Sequence, residues 1–139
     1  MGEEQANRTL VRRAYDLFAE GKIDEFVVML DDDFAIHEVG SLPYGGVHRG
    51  RAGFQALMAE LSSNWWQSIT FDVETIAAAG DRVIAYGVMT LTGLTTGFTV
   101  HMPAAELWTL KSGRVCELRI LYGDVALANQ AMGYQPADK

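Results

Sequence analysis

The chain is poor in the residues that staple or metallate a small fold: one cysteine, three histidines and three prolines in 139 residues. Cys116 alone cannot close an intramolecular disulfide, and three scattered histidines beside it assemble no recognisable structural zinc site. Basic residues are scarce too. Eleven Lys and Arg face eighteen Asp and Glu, leaving a net charge of −7, which repels a phosphate backbone or an anionic membrane surface. Nucleic acid and membrane are thereby disfavoured as partners. The longest stretch without formal charge, Val83 to Ala105, is broken by three glycines, Pro103, His101 and five threonines, so it fails the requirement for ~20 mostly apolar residues in a membrane span. The first eight residues are acidic and polar with no apolar h-region, and Ala6 stands where a myristoylation signal has Ser or Thr. The expected location is cytoplasmic.

What the chain does contain is 49% hydrophobic and 10% aromatic residues, the balance of one ordinary globular domain over 1–139. A chain of this size buries roughly two-thirds of the surface its unfolded form exposes, enough for a core to hold it unaided.

Val11, Ala14, Tyr15 and Phe18 fall at i, i+3, i+4 and i+7, one face of a first helix that Gly21 closes in the left-handed conformation. Ile23, Phe26, Val27 and Leu30 repeat the spacing in a second helix, whose end Asp31, Asp32 and Asp33 mark. Phe34–Val39 then reads as a short strand and Gly40–Gly46 as a loop. A third helix follows Gly50, with Phe54, Leu57, Met58 and Leu61 facing inward. After Trp65 and Trp66 the period changes from 3.6 to 2, giving strands near 69–78, 82–91, 98–110 and 114–122. Gly80-Asp81, the 92–97 stretch and Ser112-Gly113 supply the turns, and 125–132 reads as a terminal helix. Helices first and strands after indicate α+β, with helices covering one face of a curved antiparallel sheet. Such a sheet can curl into a cone with an interior. The uncharged stretch from Val83 to Ala105 then forms either a pocket wall or plain core.

The helix pair joined by Glu20-Gly21-Lys22-Ile23-Asp24, the passage Asp32-Asp33-Phe34-Ala35-Ile36-His37-Glu38, and Leu42-Pro43-Tyr44-Gly45-Gly46 leading to Arg49-Gly50-Arg51 occur in a telling order. With Ser112-Gly113-Arg114-Val115 and Arg119-Ile120-Leu121-Tyr122-Gly123-Asp124 near the end, the chain resembles the NTF2-like (cystatin-like cone) superfamily. Within it, the resemblance is to SnoaL-like and ketosteroid-isomerase-like proteins. It implies a cone built on three N-terminal helices, a small apolar ligand, no cofactor or metal, and a homodimer. Function is less constrained, because this fold hosts isomerases, cyclases, hydrolases and non-catalytic domains. The ketosteroid isomerase template implies a carboxylate base on the first strand, here Glu38. Its oxyanion donors, a Tyr on the first helix and a protonated Asp on a later strand, fall by the same matching on Ala14 and Ala105, so both donors are expected to be missing. Tyr15, one step around the helix, reads as core. The Asp-Arg-Asp set of limonene-epoxide-hydrolase-like members is matched only by Asp124, since Val100, His101 and Met102 supply no Arg and Asp. SnoaL-like cyclases need one acid/base group in a pocket that folds a polyketide.

Strand alternation puts Phe34, Ile36 and Glu38 on one face. If the apolar pair faces inward, Glu38 does too, and burial raises its pKa into the range of a proton shuttle; otherwise it sits solvated at the rim. His101 shares a face with Pro103 and Ala105, which the template places toward the cavity, and is the second catalytic candidate. Asp124 is the third, with helix capping as its competing role. Tyr86, Tyr122, Ile36, Leu118 and Trp66 are the candidate substrate-binding residues. His37 is expected on the face opposite Glu38. By parity Glu106 and Trp108 point away from the cavity, toward the implied dimer interface or solvent. Arg49 and Arg51 either hold an anionic group or are solvated. The resulting expectation is cofactor-independent acid/base chemistry of isomerase or cyclase type on an apolar carbonyl or cyclic substrate. The alternative is a non-catalytic ligand-binding or dimerisation module.

Overall fold

The computed structural model describes residues 2–137; Met1, Asp138 and Lys139, the ends of the expected 1–139 domain, lie outside the described residues. The elements run α1 (Glu3–Ala19), α2 (Ile23–Val28), β1 (Leu30–Glu38), β2 (Gly46–Arg49), α3 (Gly50–Glu60), β3 (Trp66–Ala79), β4 (Arg82–Gly93), β5 (Thr99–Lys111), β6 (Arg114–Tyr122) and α4 (Val125–Met132). A π turn, Leu61–Trp65, carries α3 into β3. Gly21, at φ 73°, ends α1 as its spacing predicts, and Lys22 N–H donates to the Leu17 carbonyl at 2.8 Å.

The expected α+β cone is present, with two differences in its sheet. The six strands lie in the order β2-β1-β6-β5-β4-β3, and β1 runs parallel to β6, so the sheet is mixed rather than wholly antiparallel. The extra strand is β2, four residues from within the expected loop and its exit, pairing antiparallel to β1 with Glu38 opposite Gly46. Four residues are too few to show a period. The Asp31–Asp33 triplet lies inside β1 rather than ending α2. Arg114 and Arg51 reach those charges, at 3.7 Å from Asp31 and 2.7 Å from Asp32, and both also donate to the Leu30 carbonyl. The register of β1 on β6 shifts between Leu30 and Ala35, a bulge that lets the acidic stretch stay in a strand.

Helices α1 and α3 pack on one face of the sheet, and that face is read from parity. Phe34, Ile36 and Glu38 of β1, Leu118 and Ile120 of β6, Met102, Ala104 and Trp108 of β5, and Val83, Ala85, Met89 and Leu91 of β4 are buried. Rings fill the closed end: Phe26 stacks 5.2 Å from Phe54 and 6.0 Å from Trp108, and Phe34 lies 6.1 Å from Phe54. Burying each such ring stabilises the fold by roughly 1.5–3 kcal/mol. Sheet curvature has its own device at Gly87, where an added Cβ would stand 2.0 Å from the Asp72 carbonyl oxygen, beside the β3 register shift between Val73 and Thr75. Only glycine permits that approach.

The β5 parity reverses the expectation for this strand. Glu106 and Trp108 share the inner face with Met102 and Ala104, and His101 and Pro103 are exposed on the outer face. The template matching had placed Ala105 inward, one residue out of step. A one-residue slip exchanges the two faces of a strand completely.

Candidate active site

A cavity of about 680 Å³ lies between the concave sheet face and the helices, within the size range of small-molecule sites. Its wall is mostly apolar: Phe18 and Ile23 from the helix pair, Phe54 and Met58 from α3, Phe71 and Met89 from the sheet. Thr70, two tyrosines and two carboxyls, Tyr15, Tyr122, Glu38 and Glu106, supply its polar groups, with the Trp108 edge beside them.

Glu38 is the last residue of β1 and is only 7% exposed. Its Oε1 is buried without a hydrogen-bond partner. Burial, reinforced by the Glu106 charge, pushes its pKa up to about 8, and the Tyr122 hydroxyl opposes that rise. The register locates the two acids relative to each other. Ile36 pairs with Leu118 and His37 with Arg119, so Glu38 falls level with Ile120, and Ile120 pairs with Glu106 on the other side. The carboxyls therefore flank one isoleucine, two strands apart, with backbones roughly 10 Å from each other.

Each acid has a tyrosine, and each tyrosine a tryptophan. At Glu106, the Tyr15 hydroxyl donates to Oε1 at 2.6 Å, and Trp108 Nε1–H donates to the Tyr15 hydroxyl at 3.0 Å. An indole nitrogen only donates, so Tyr15 must accept there and its one proton goes to Glu106. The other carboxyl oxygen, Oε2, is left to carry a proton. Burial raises Glu106 to about 7 while the Tyr15 hydrogen bond pulls it down; Tyr15 itself is driven far up by burial and by the Glu106 charge. At Glu38 the chain is longer. Trp66 Nε1–H donates to the Tyr44 hydroxyl at 3.1 Å, and Tyr44 and Tyr122 share a 2.7 Å hydrogen bond. The Tyr122 hydroxyl also lies against Glu38 and restrains the rise of its pKa. Tyr44 reaches this place because the 40–45 loop folds back on itself, with Leu42 N–H on the Val39 carbonyl and Gly45 N–H on that of Leu42.

Of the residues singled out from sequence, Glu38, Ile36, Leu118 and Tyr122 line the cavity together. Trp66 does not; it is buried behind the wall and touches the site through Tyr44. Tyr86 is 46% exposed on the outer face of β4, because Val83, Ala85, Met89 and Leu91 take the inner one. His101 also lies outside, its Nδ1 hydrogen-bonded to the Thr90 hydroxyl at 2.9 Å. Asp124 caps α4, accepting from Leu127 N–H at 3.0 Å. His37 pairs with Glu117 at 3.0 Å, away from the cavity. Arg51 is held at the start of β1 and Arg49 is exposed.

Tyr15 and Glu106 are the residues that the sequence reading missed. Ala14 is fully buried in the core and Ala105 lies off the cavity wall, as their types suggested. Yet the next residue in each case places a hydroxyl and a carboxyl where donors were thought absent. A signal existed: Met102, Ala104, Trp108 and Leu110 alternate as one apolar face, and Glu106 interrupts it in phase. Tyr44 had none, since a loop tyrosine carries no period. Among the described residues no three His, Cys, Asp or Glu side chains are grouped to hold a metal ion.

The family model of the SnoaL-like domain matches residues 11–118. No curated protein matches by sequence. Solved structures do. An NTF2-like protein of unknown function from Burkholderia pseudomallei K96243 is 18% identical with a TM-score of 0.84, over 91% of this chain and 97% of that one. TerC, co-crystallised with polyporic acid, is 18% identical at 0.84, covering 92% and 98%. A candidate SnoaL-like polyketide cyclase from Jannaschia sp. CCS1 is 21% identical at 0.80, covering 97% of both. Identities this low establish a shared fold.

Proposed function

The chain belongs to the SnoaL-like domain family, and from that premise we propose that it moves a proton on an apolar carbonyl or cyclic substrate, with Glu38 as base and Glu106 as hydrogen-bond donor. The observation that carries this reading is a pair of carboxyls facing one cavity, Glu38 buried and Glu106 half-buried, each with its own tyrosine. A carbonyl oxygen can accept only from the protonated form of Glu106. Near neutrality the two raised acids retain about one proton between them, shared across the pair. A carbonyl oxygen seated at Glu106 favours the proton there and leaves Glu38 ionised as the base. Glu38 then removes a proton from the carbon beside the carbonyl, Glu106 Oε2–H stabilises the enolate oxygen, and Glu38 returns the proton at the same or a neighbouring carbon. Ring closure of a cyclase type uses the same carbanion. The apolar wall keeps water from competing.

His101, Tyr86 and Asp124 take no part in this scheme, and Trp66 enters it only through Tyr44. The test is Glu38→Gln, which keeps the shape and removes the base: turnover is lost while binding persists. Similar structures described as candidate polyketide cyclases support the substrate class.

We further propose a homodimer, but through a different surface from the one first expected. Trp108 and Glu106 are committed to the cavity, whereas Ile84, Tyr86 and Leu121 are 49%, 46% and 51% exposed on the outer sheet face. A second copy covering that face would remove this apolar surface from water. Light scattering of Ile84→Glu against the wild type tests it: the wild type runs as a dimer and the variant as a monomer.

A further inference from the structure

We propose that the cavity selects by charge: it takes an uncharged ring compound bearing a hydroxyl or enol donor and rejects carboxylates and phosphates of the same shape. This rests on the cavity being the substrate site, and refines which substrates it admits. The wall holds no Lys, Arg or His, while two carboxyls face its interior. Arg51 and Arg114 pair with acids at the start of β1 and Arg119 with Glu117 on β6, and Arg12, whose charge reaches the Tyr15 hydroxyl, is not part of the wall. An anionic group inside would therefore meet like charge with no counter-charge, in surroundings that screen poorly.

What the site lacks is a hydrogen-bond partner for one buried oxygen. Glu38 Oε1 is buried with no hydrogen-bond partner, while the Tyr15 hydroxyl is committed to Glu106 and the Tyr122 hydroxyl is bonded to that of Tyr44. Leaving such an oxygen unpaired costs free energy, so a ligand hydroxyl, which donates to the carboxylate or accepts from the carboxylic acid, gains more there than a bare hydrocarbon does. The aromatic and thioether side chains around it, Phe18, Phe54, Met58 and Phe71, suit a flat ring body.

The experiment compares three probes of one shape, naphthol, naphthoate and naphthalene, by calorimetry or equilibrium dialysis with the full chain. Near pH 7 naphthol binds, and naphthoate binds at least about tenfold more weakly. Naphthalene falls below naphthol for want of the donor. The gap between naphthol and naphthoate widens between about pH 6 and 9 as the carboxyls ionise, a readout that needs no variant. In Glu38→Gln/Glu106→Gln the gap narrows and no longer varies with pH. Naphthoate binding as tightly as naphthol, a gap that ignores pH, or failure of naphthol to bind would each overturn the proposal. Proton transfer is read separately: a naphthol complex without any exchange activity sinks the catalytic reading alone, and a tight naphthoate complex with full exchange activity sinks the charge rule alone.

Discussion

Glu38 and Glu106 stand on either side of Ile120 on the concave face of the sheet, one at the end of β1 and one in the middle of β5. Neither has a cation beside it in the cavity. Two acids on one apolar wall without counter-charge weaken a fold as they ionise, and the proposed site rests on that pairing. Their tyrosines differ in consequence. Tyr15 is locked onto Glu106 by Trp108, while the Tyr122 hydroxyl is shared between Tyr44 and Glu38.

Stability should fall as pH rises from about 4.5 to 8. Both acids have folded pKa values above the ordinary 4.5, about 8 for Glu38 and about 7 for Glu106. The folded state therefore holds protons that the unfolded chain has released, and the resulting stabilisation is full below the unfolded value and gone above the folded one. The slope is about 1.4 kcal/mol per pH unit for each proton so held. Urea denaturation across this range measures it, and Glu38→Gln flattens the curve between the two limits. A stability that rises over the same interval would contradict the assigned burial of the acids.

Tyr122→Phe removes the hydroxyl that restrains Glu38. The Glu38 pKa moves further up, and the acid limb of the pH–rate profile moves with it. Carbon-13 titration of the labelled carboxyl reads the shift directly, apart from any effect on turnover. An unchanged or lowered value would show that the hydroxyl does not face Glu38.

His101→Ala leaves proton transfer within about twofold of wild type and stability within about 0.5 kcal/mol, as for an exposed side chain away from special structure. Its hydrogen bond to Thr90 is on the outer face. A large loss of turnover, measured beside a denaturation curve, would return this histidine to the site.

The fold was legible because its periods are long. The α1 stripe through Val11 and Ala14, the α3 stripe through Phe54 and Leu57, and the alternation of β3 to β6 all exceed two turns or four residues, which suffices to separate 3.6 from 2. Glu38 was legible for the same reason, lying in phase with Phe34 and Ile36. Short and irregular pieces were not: β2 is four residues long, and Asp31–Asp33 look like a helix end until Arg51 and Arg114 are brought to them by the fold. The omission of Tyr15 and Glu106 from the expected site and the inclusion of His101 in it have one common origin. Face assignments on α1 and β5 were taken from a template, and an error of one residue turns a helical side chain by about 100° and a strand side chain to the opposite face. The in-phase run Met102, Ala104, Trp108 and Leu110 carried the correct answer for β5.

The most direct measurement of the central claim is hydrogen exchange at the carbon beside the carbonyl of β-tetralone, an uncharged ring ketone, followed by NMR in deuterated water. Wild-type protein should accelerate exchange above the buffer rate, and Glu38→Gln should lower that acceleration by about 100-fold or more while binding the ketone with unchanged affinity. Exchange by Glu38→Gln at the wild-type rate would contradict the account.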